Sequence, residues 1–142
     1  MTNPRIKSTD GEDRRKHLEM IQGVINRLAG NSFAVKGWAV TLVAALFALA
    51  AQGTNPKFVY IAFVPVLAFW LLDAYFLRQE RLFRALYDAA TRSASTDYSM
   101  DTRNLLKEDL DQVAGSITLT FFYVPLLLAV ILVAVITYTK AT

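Results

Sequence analysis

One aspartate inside an apolar segment is the residue whose type and place most clearly indicate chemistry. Asp73 interrupts the run FVYIAFVPVLAFWLLDAYFL, which is long enough to cross a bilayer. An unpaired carboxylate is costly there, so Asp73 should have a partner or reach water. Lys36 lies at the matching end of the preceding apolar segment, and we predict that the two approach each other, with Arg78 as competing partner. We favour a boundary ion pair that sets helix register over a proton or ion site, and interpret the pair as structural or gating.

The other titratable residues form no recognisable catalytic or metal-binding set. His17 is the only histidine, there are no cysteines, and no residues repeat at the spacing of metal ligands. The chain also has no glycine-rich phosphate loop, no nucleophile elbow and no serine, histidine and acid at a known spacing. The sequence therefore predicts no enzyme, no cofactor and no metal site.

Two charged surfaces are predicted beside the apolar segments. A basic strip consists of Arg78, Arg81 and Arg84, and an acidic patch consists of Glu108, Asp109 and Asp111. The strip would suit lipid phosphates, an acidic partner or the acidic patch itself, but a solvated, salt-bridged face is favoured. The net charge of +3 is assigned to membrane topology, so no nucleic-acid polymer is expected as a partner.

A single long helix from Phe58 to Arg92 is predicted to position most of these residues, because no glycine or turn cluster separates its apolar and charged halves. Such a helix is about 50 Å long, against a hydrocarbon core of about 30 Å, so residues 78–92 must project into water. Pro65 is expected to bend the apolar half. The projecting half has an apolar face of the kind that packs on another helix. We define its interaction face as Arg78, Arg81, Phe83, Arg84, Leu86 and Tyr87.

Residues 1–32 are predicted to form a separate amphipathic cytoplasmic helix. Thr9 and Glu12 match a capping box, and apolar residues then recur at steps of three and four. Packing of this apolar stripe on another helix is favoured over insertion among lipid headgroups. Gly30, Asn31 and Ser32 are predicted to break the helix before the first span. The stripe consists of Leu18, Ile21, Ile25 and Leu28.

Residues 33–139 are predicted to form a membrane domain with spans at about 36–53, 58–77 and 117–139. A tight turn at 52–57 joins the first two spans, and a polar loop at 93–104 leads to a cytoplasmic helix at 102–116, capped by Asp101 or Thr102. The third span, rich in leucine and valine, is predicted to face lipid. Small residues on the first span predict close packing on protein, within one protomer or between protomers. These are Gly37, Thr41, Ala44, Ala45 and Ala48.

The distribution of Lys and Arg predicts the orientation. Residues 1–36 hold seven, 52–57 one, 78–116 six and the tail one, which accounts for all 15. Basic residues concentrate on the cytoplasmic side, so we place the N-terminus inside and the C-terminus in the periplasm. The predicted class is therefore all-α, with three transmembrane helices, an N-terminal amphipathic cytoplasmic helix and a long second span that continues into the cytoplasm.

The pattern NSFAVKGWAVTLVAALFALAA followed by FWLLDAYFLRQERLFRALYD resembles small bacterial membrane effectors of anti-phage abortive-infection systems, in particular the SLATT-like type. The resemblance extends from Leu18 to Asp88, and the third span is additional to the two of that type. It implies an inner-membrane protein that oligomerises and permeabilises the membrane when triggered. A cytoplasmic sensor protein or a nucleotide signal is the partner that it implies. Only Lys36, Asp73 and the helix from Arg78 to Tyr87 correspond to the shared hairpin.

Two functions follow as hypotheses. The first is a homo-oligomeric inner-membrane effector that forms a pore or disrupts the membrane in anti-phage defence, with lipid and other copies of the chain as partners. One protomer with three spans is too thin to enclose an aqueous pore, so several must share it. The alternative is a non-conducting membrane scaffold that anchors a cytoplasmic partner through Phe83, Leu86 and Tyr87.

Overall fold

Three long helices make up most of this computed structural model, which describes residues 4–52, 58–92, 98–103, 105 and 109–141. The helices are α1 (Pro4–Ala51), α2 (Phe58–Ile61), α3 (Phe63–Arg92), α4 (Leu110–Ala114) and α5 (Ile117–Ala141). Three segments are long and apolar enough to cross a membrane: Gly11–Ala51, Phe58–Arg92 and Ile117–Thr139. The predicted all-α class with three membrane-length helices is confirmed.

Helix α1 runs without interruption through residues 30–32, so the predicted break there is wrong. It begins at Pro4, five residues before Thr9, so the predicted capping box does not start it; proline suits a first helical turn because its missing N–H needs no partner there. The buried residues of α1 stay in phase across the expected break, at steps of three, four and seven. One face of a single helix therefore packs along its length. These residues are His17, Ile21, Ile25, Ser32, Val35, Ala39 and Val43.

The second apolar segment bends once and then continues as one helix to Arg92. Ala62 separates α2 from α3. Its N–H donates to the carbonyl of Val59, three residues earlier, with 3.2 Å between nitrogen and oxygen, so the chain makes a tighter turn there than an α-helix does. Pro65 explains the position, because its ring displaces the carbonyl of Ile61 and it has no N–H to donate. The predicted continuous passage of Leu77 to Arg92 out of the apolar segment is confirmed.

Beyond the apolar bundle, residues 11–30 of α1 and 77–92 of α3 lie side by side; we call them the charged helix pair. Ile21 and Ile25 are buried against Leu86, with Phe83 and Tyr87 packed around them. The apolar stripe of α1 thus packs on a helix, as predicted. At the far end, the Arg14 guanidinium donates to the carbonyls of Ala90 and Thr91, at 3.4 and 2.9 Å. A cation at this place satisfies carbonyls that a helix end leaves free.

Within the apolar bundle, α5 packs one face on α3 and leaves the other open. Leu119, Tyr123, Val130 and Ala134 are buried, whereas Phe121 and Leu132 are exposed. One face of α5 is therefore covered by protein, and contact with lipid stays a prediction for the exposed face alone. The common core of the bundle consists of Ala39, Val43, Ala62, Val66, Ala74, Leu119, Tyr123 and Val130.

Of the described residues between 102 and 116, Leu110–Ala114 form the short helix α4, whereas 102, 103, 105 and 109 are not helical, so the predicted continuous helix is wrong. Asp101 does not cap a helix; its carboxylate accepts hydrogen bonds from the backbone N–H and the guanidinium of Arg103, two residues on. These bonds lower the pKa of Asp101 to about 2. An Asx turn of this kind competes with helix formation at 101–103, where the structure is non-helical. Residues 98–103 are non-helical, in agreement with the predicted loop; positions 53–57 of the predicted tight turn, 93–97 and 104 lie outside the described residues.

Candidate functional site: a buried polar cluster

Ser32, Lys36, Asp73 and Tyr123 bring polar groups together where the apolar bundle meets the charged helix pair; we call them the polar cluster. Ser32 and Lys36 are one turn apart on α1, so their side chains share a face. Asp73 faces them from α3, because α1 and α3 are antiparallel and packed along their length. Tyr123 joins the cluster from α5. The three membrane-length helices therefore meet at one polar site.

The predicted approach of Lys36 to Asp73 is confirmed, and Ser32 completes it. The Lys36 ammonium lies 2.5 Å from Asp73 Oδ2 and also donates to the Ser32 hydroxyl at 2.9 Å. The Ser32 hydroxyl in turn donates to Asp73 Oδ1. Asp73 is 0% exposed and the Lys36 side chain 20%, so water screens this pair weakly. Both carboxylate oxygens thus have a protein partner, which is what a buried charge requires.

Tyr123 links α5 to the same place. Its hydroxyl donates to the Phe69 carbonyl at 3.2 Å, one helical turn before Asp73. The Tyr123 ring stacks on Trp70 with 5.7 Å between centroids, and Lys36 lies 5.9 Å from the centroid of Phe122. These ring contacts fix the rotamers around the cluster and add a cation–π attraction to Lys36.

Sequence reasoning did not identify Ser32 or Tyr123 as members of this cluster. Ser32 was assigned to a helix break, although its position four residues before Lys36 is the signal that would have identified it in a continuous helix. Tyr123 gave no comparable signal, because only packing of α5 on α3 brings its hydroxyl to Phe69.

The polar cluster can neutralise the buried charge of Asp73 and fix the alignment of α1 relative to α3. It contains a carboxylate, an ammonium and two hydroxyls; Lys36, Ser32 and Asp73 pair with one another, and the Tyr123 hydroxyl donates to the Phe69 carbonyl. Separating α1 from α3 here would expose two charges and leave Asp73 without donors, at a high free-energy cost. The cluster is therefore suited to hold one arrangement of the spans and to oppose another.

Replacing Ser32 by alanine tests the bond that the sequence did not reveal. Ser32→Ala leaves Asp73 Oδ1 without its donor in a place that water does not reach, so we expect the free energy of unfolding to fall by about 1–3 kcal/mol. SDS titration of the purified protein in micelles, followed by circular dichroism, measures it. Ser116→Ala is the matched control, because the Ser116 hydroxyl is buried without a partner and should cost nothing to remove. Equal effects of the two changes would contradict this assignment.

The predicted interaction face of α3 is largely covered from within the same protomer. Phe83, Leu86 and Tyr87 pack on Ile21 and Ile25 of α1, so this face is not open to a cytoplasmic partner. On the same helix, Glu80 and Arg84 form an ion pair one turn apart, with 2.7 Å between Arg84 Nη2 and Glu80 Oε1. Arg78 and Arg81 are half-buried, and Arg84 is exposed. Asp109 and Asp111 are exposed, while Glu108 lies outside the described residues.

The small residues of the first span do not pack within the protomer. Gly37, Thr41, Ala44, Ala45 and Ala48 are all exposed, and α1 instead uses Ala39 and Val43 to contact the other helices. A side chain at Gly37 would meet no atom of this protomer. Of the two predicted partners for these residues, contact within the protomer is therefore wrong, and contact between protomers stays a prediction.

His17 is buried and not a solvated residue of a charged helix. It is 5% exposed, and its ring meets Tyr98 edge-on with 5.5 Å between centroids. In the described part of the chain, no group of three histidine, aspartate or glutamate side chains comes close enough to hold a metal ion. His17 therefore packs the loop at Tyr98 against α1.

Comparison with known proteins identifies no relative of this chain. No family model, no curated protein and no solved structure matches the chain. We therefore infer the function from the geometry of the polar cluster and of the helices that meet there.

Proposed function

We propose that this chain is an effector of the bacterial inner membrane that assembles with copies of itself and opens a conductive path, or otherwise disrupts the membrane, in anti-phage defence. The carrying observation is that α1 and α3 each pass unbroken from the charged helix pair into the apolar bundle, with the polar cluster at the junction. Movement of the pair in the cytoplasm would therefore move the spans directly. The N-terminus is placed inside and the C-terminus in the periplasm.

Rigid coupling supports this proposal. The two helices of the charged pair are joined by Ile21, Ile25 and Leu86, and at the far end by Arg14 bound to carbonyls of α3. At the other end, the Lys36–Asp73 ion pair joins the same two helices. A trigger that rotates or separates the pair would act on the polar cluster, and a cytoplasmic sensor protein or a nucleotide signal is the trigger that we propose.

Two features of the bundle favour a conductive path that several protomers share. The interior of the bundle is filled by Val66, Leu119, Tyr123 and their neighbours, so the described helices of one protomer leave no aqueous channel between them. The small residues of α1 are exposed and allow a second helix to approach closely, since packing drives association within lipid. A path between protomers would be lined mostly by apolar side chains, which is compatible with gating by dewetting.

Induced expression in bacteria that carry a membrane-potential dye tests the function. We expect dye release when the chain is expressed, alone or together with the product of its neighbouring gene, because opening dissipates the potential. The chain has no cysteine, so Met20→Cys and Tyr138→Cys report orientation in the same cells. An impermeant maleimide should label only Tyr138→Cys. Expression that never depolarises the cells, with or without the neighbour, would exclude the pore and favour a non-conducting scaffold.

A further inference from the structure

An apolar cavity opens between α3 and α4, outside the polar cluster. It is lined by Leu67, Trp70, Leu71 and Ala114 and has a volume of about 350 Å³. Leu67 and Leu71 are 49% and 58% exposed, so the cavity opens on the outer face of the bundle. Trp70 closes it on the inner side, where its ring stacks on Tyr123.

The walls of this cavity offer no partner to a polar ligand. The Trp70 indole N–H donates to the Ala114 carbonyl at 3.0 Å, which satisfies the polar atom of the one amphipathic side chain in the lining. A buried water molecule needs two to four polar partners, and the lining has none free. The occupant must therefore be an apolar group.

Charges near the cavity identify the kind of molecule that carries this group. Arg78 follows Leu71 by seven residues and Leu67 by eleven, so it lies on the same face of α3, about 10 Å beyond Leu71. Its guanidinium has the geometry that binds phosphate. On the opposite wall, Asp111 precedes Ala114 by three residues and is exposed. A lipid whose acyl chain is followed by a phosphate and then an ammonium would match the apolar cavity, Arg78 and Asp111 in turn.

We propose that this cavity binds one acyl chain of a zwitterionic phospholipid with a primary ammonium, with its phosphate near Arg78 and its ammonium near Asp111. The proposal rests on the membrane location proposed above. It places a lipid beside the Trp70–Tyr123 stack, one turn from the polar cluster. The lipid would thus support the helices that hold the Lys36–Asp73 pair.

Quenching of Trp70 by brominated lipid tests the site. Trp38→Phe leaves Trp70 as the single tryptophan of the full-length chain. In vesicles of phosphatidylcholine with a minority of phosphatidylethanolamine brominated on its acyl chains, we expect quenching about three-fold stronger than the mole fraction alone predicts. Ala114→Leu and Leu67→Phe, which fill the cavity from opposite walls, should each remove this excess. Leu132→Phe, on the exposed face of α5, is the matched control and should retain it.

The other outcomes separate this site from the proposed function. Quenching at the mole-fraction level, or an excess that brominated phosphatidylglycerol gives equally, would overturn the lipid assignment and leave the function standing. An excess that persists in Ala114→Leu and Leu67→Phe would also overturn it. Loss of the Trp70 signal together with a higher oligomeric state would replace the lipid by a second copy. If Trp38, isolated by Trp70→Phe, is not quenched by any brominated lipid, the membrane location fails and both proposals fail with it.

Discussion

Reversing the charge of Asp73 should destabilise the bundle more than any other single change at the polar cluster. In Asp73→Lys, two ammonium groups face each other where Asp73 is 0% exposed, and the Ser32 hydroxyl loses its acceptor. Removing one partner of a buried ion pair costs about 3–5 kcal/mol, and like charge adds to that loss. We expect this fall in the free energy of unfolding, measured by SDS titration in micelles, together with loss of the assembled form.

The reciprocal exchange separates the pairing from simple damage to the fold. Adding Lys36→Asp to Asp73→Lys restores opposite charges, and we expect a coupling energy of about 1–3 kcal/mol. Recovery should be partial, since Ser32 and Tyr123 are placed for the native arrangement. Asp88→Lys is the matched control on the same helix, because Asp88 is exposed and its reversal should change stability little. A double variant as unstable as the sum of the two single variants would refute the coupling.

The second large effect is expected from a proline at Gly30, which lies between the Ile25 contact and Ser32 on α1. Gly30→Pro removes the N–H that bonds one turn back and introduces a ring that clashes with the carbonyl there, which costs about 3 kcal/mol in a helix interior. Because α1 is one helix through this point, we expect the change to kink it and to uncouple the charged helix pair from the spans. Cells that express Gly30→Pro should keep the protein in the membrane and fail to depolarise.

Gly30→Ala is the control for that experiment, since an added Cβ at Gly30 meets no neighbouring atom. Alanine favours the helix by about 0.5–1 kcal/mol over glycine, so this variant should be slightly more stable than the parent and should depolarise normally. If Gly30→Pro depolarises as well as Gly30→Ala does, transmission through α1 is excluded. If Gly30→Ala is destabilised, the helix does not pass through residue 30.

The two experiments also divide the roles that the polar cluster allows. A cluster that holds a closed state predicts that Asp73→Lys depolarises cells without a trigger, in the fraction that still inserts. A cluster that is needed only for assembly predicts that the same variant never depolarises them. The dye assay with Asp73→Lys alone, at matched protein level, distinguishes these results.

Some of this architecture follows from composition along the chain. An apolar segment long enough to cross a bilayer can hydrogen-bond its own backbone N–H and C=O groups only as a helix. The all-α class and the three membrane-length segments were therefore predictable. The continuation of α3 to Arg92 followed from the absence of breakers, and the bend at Ala62 from Pro65. Antiparallel spans of similar length placed Lys36 opposite Asp73 before any contact was known.

Other features depend on contacts that no local pattern shows. Gly30, Asn31 and Ser32 have weak helix propensity, yet the helix continues because Ile25 and Ser32 are both buried against α3, and tertiary packing outweighs propensity. At the predicted start of the helix at 102–116, Asp101 instead binds Arg103 in a local turn.

The sequence alone therefore determined how many helices are long and apolar enough to cross lipid, since hydropathy and breakers act within each segment. It also favoured the meeting of Lys36 with Asp73, with Arg78 as the competing partner. Only the tertiary structure decided that α1 is a single helix, that α1 covers the face of Phe83, Leu86 and Tyr87, and that the small residues of α1 face outward. The reason is physical: which side of an apolar helix is buried depends on its neighbours, and in a segment that is apolar all round no periodicity marks that side.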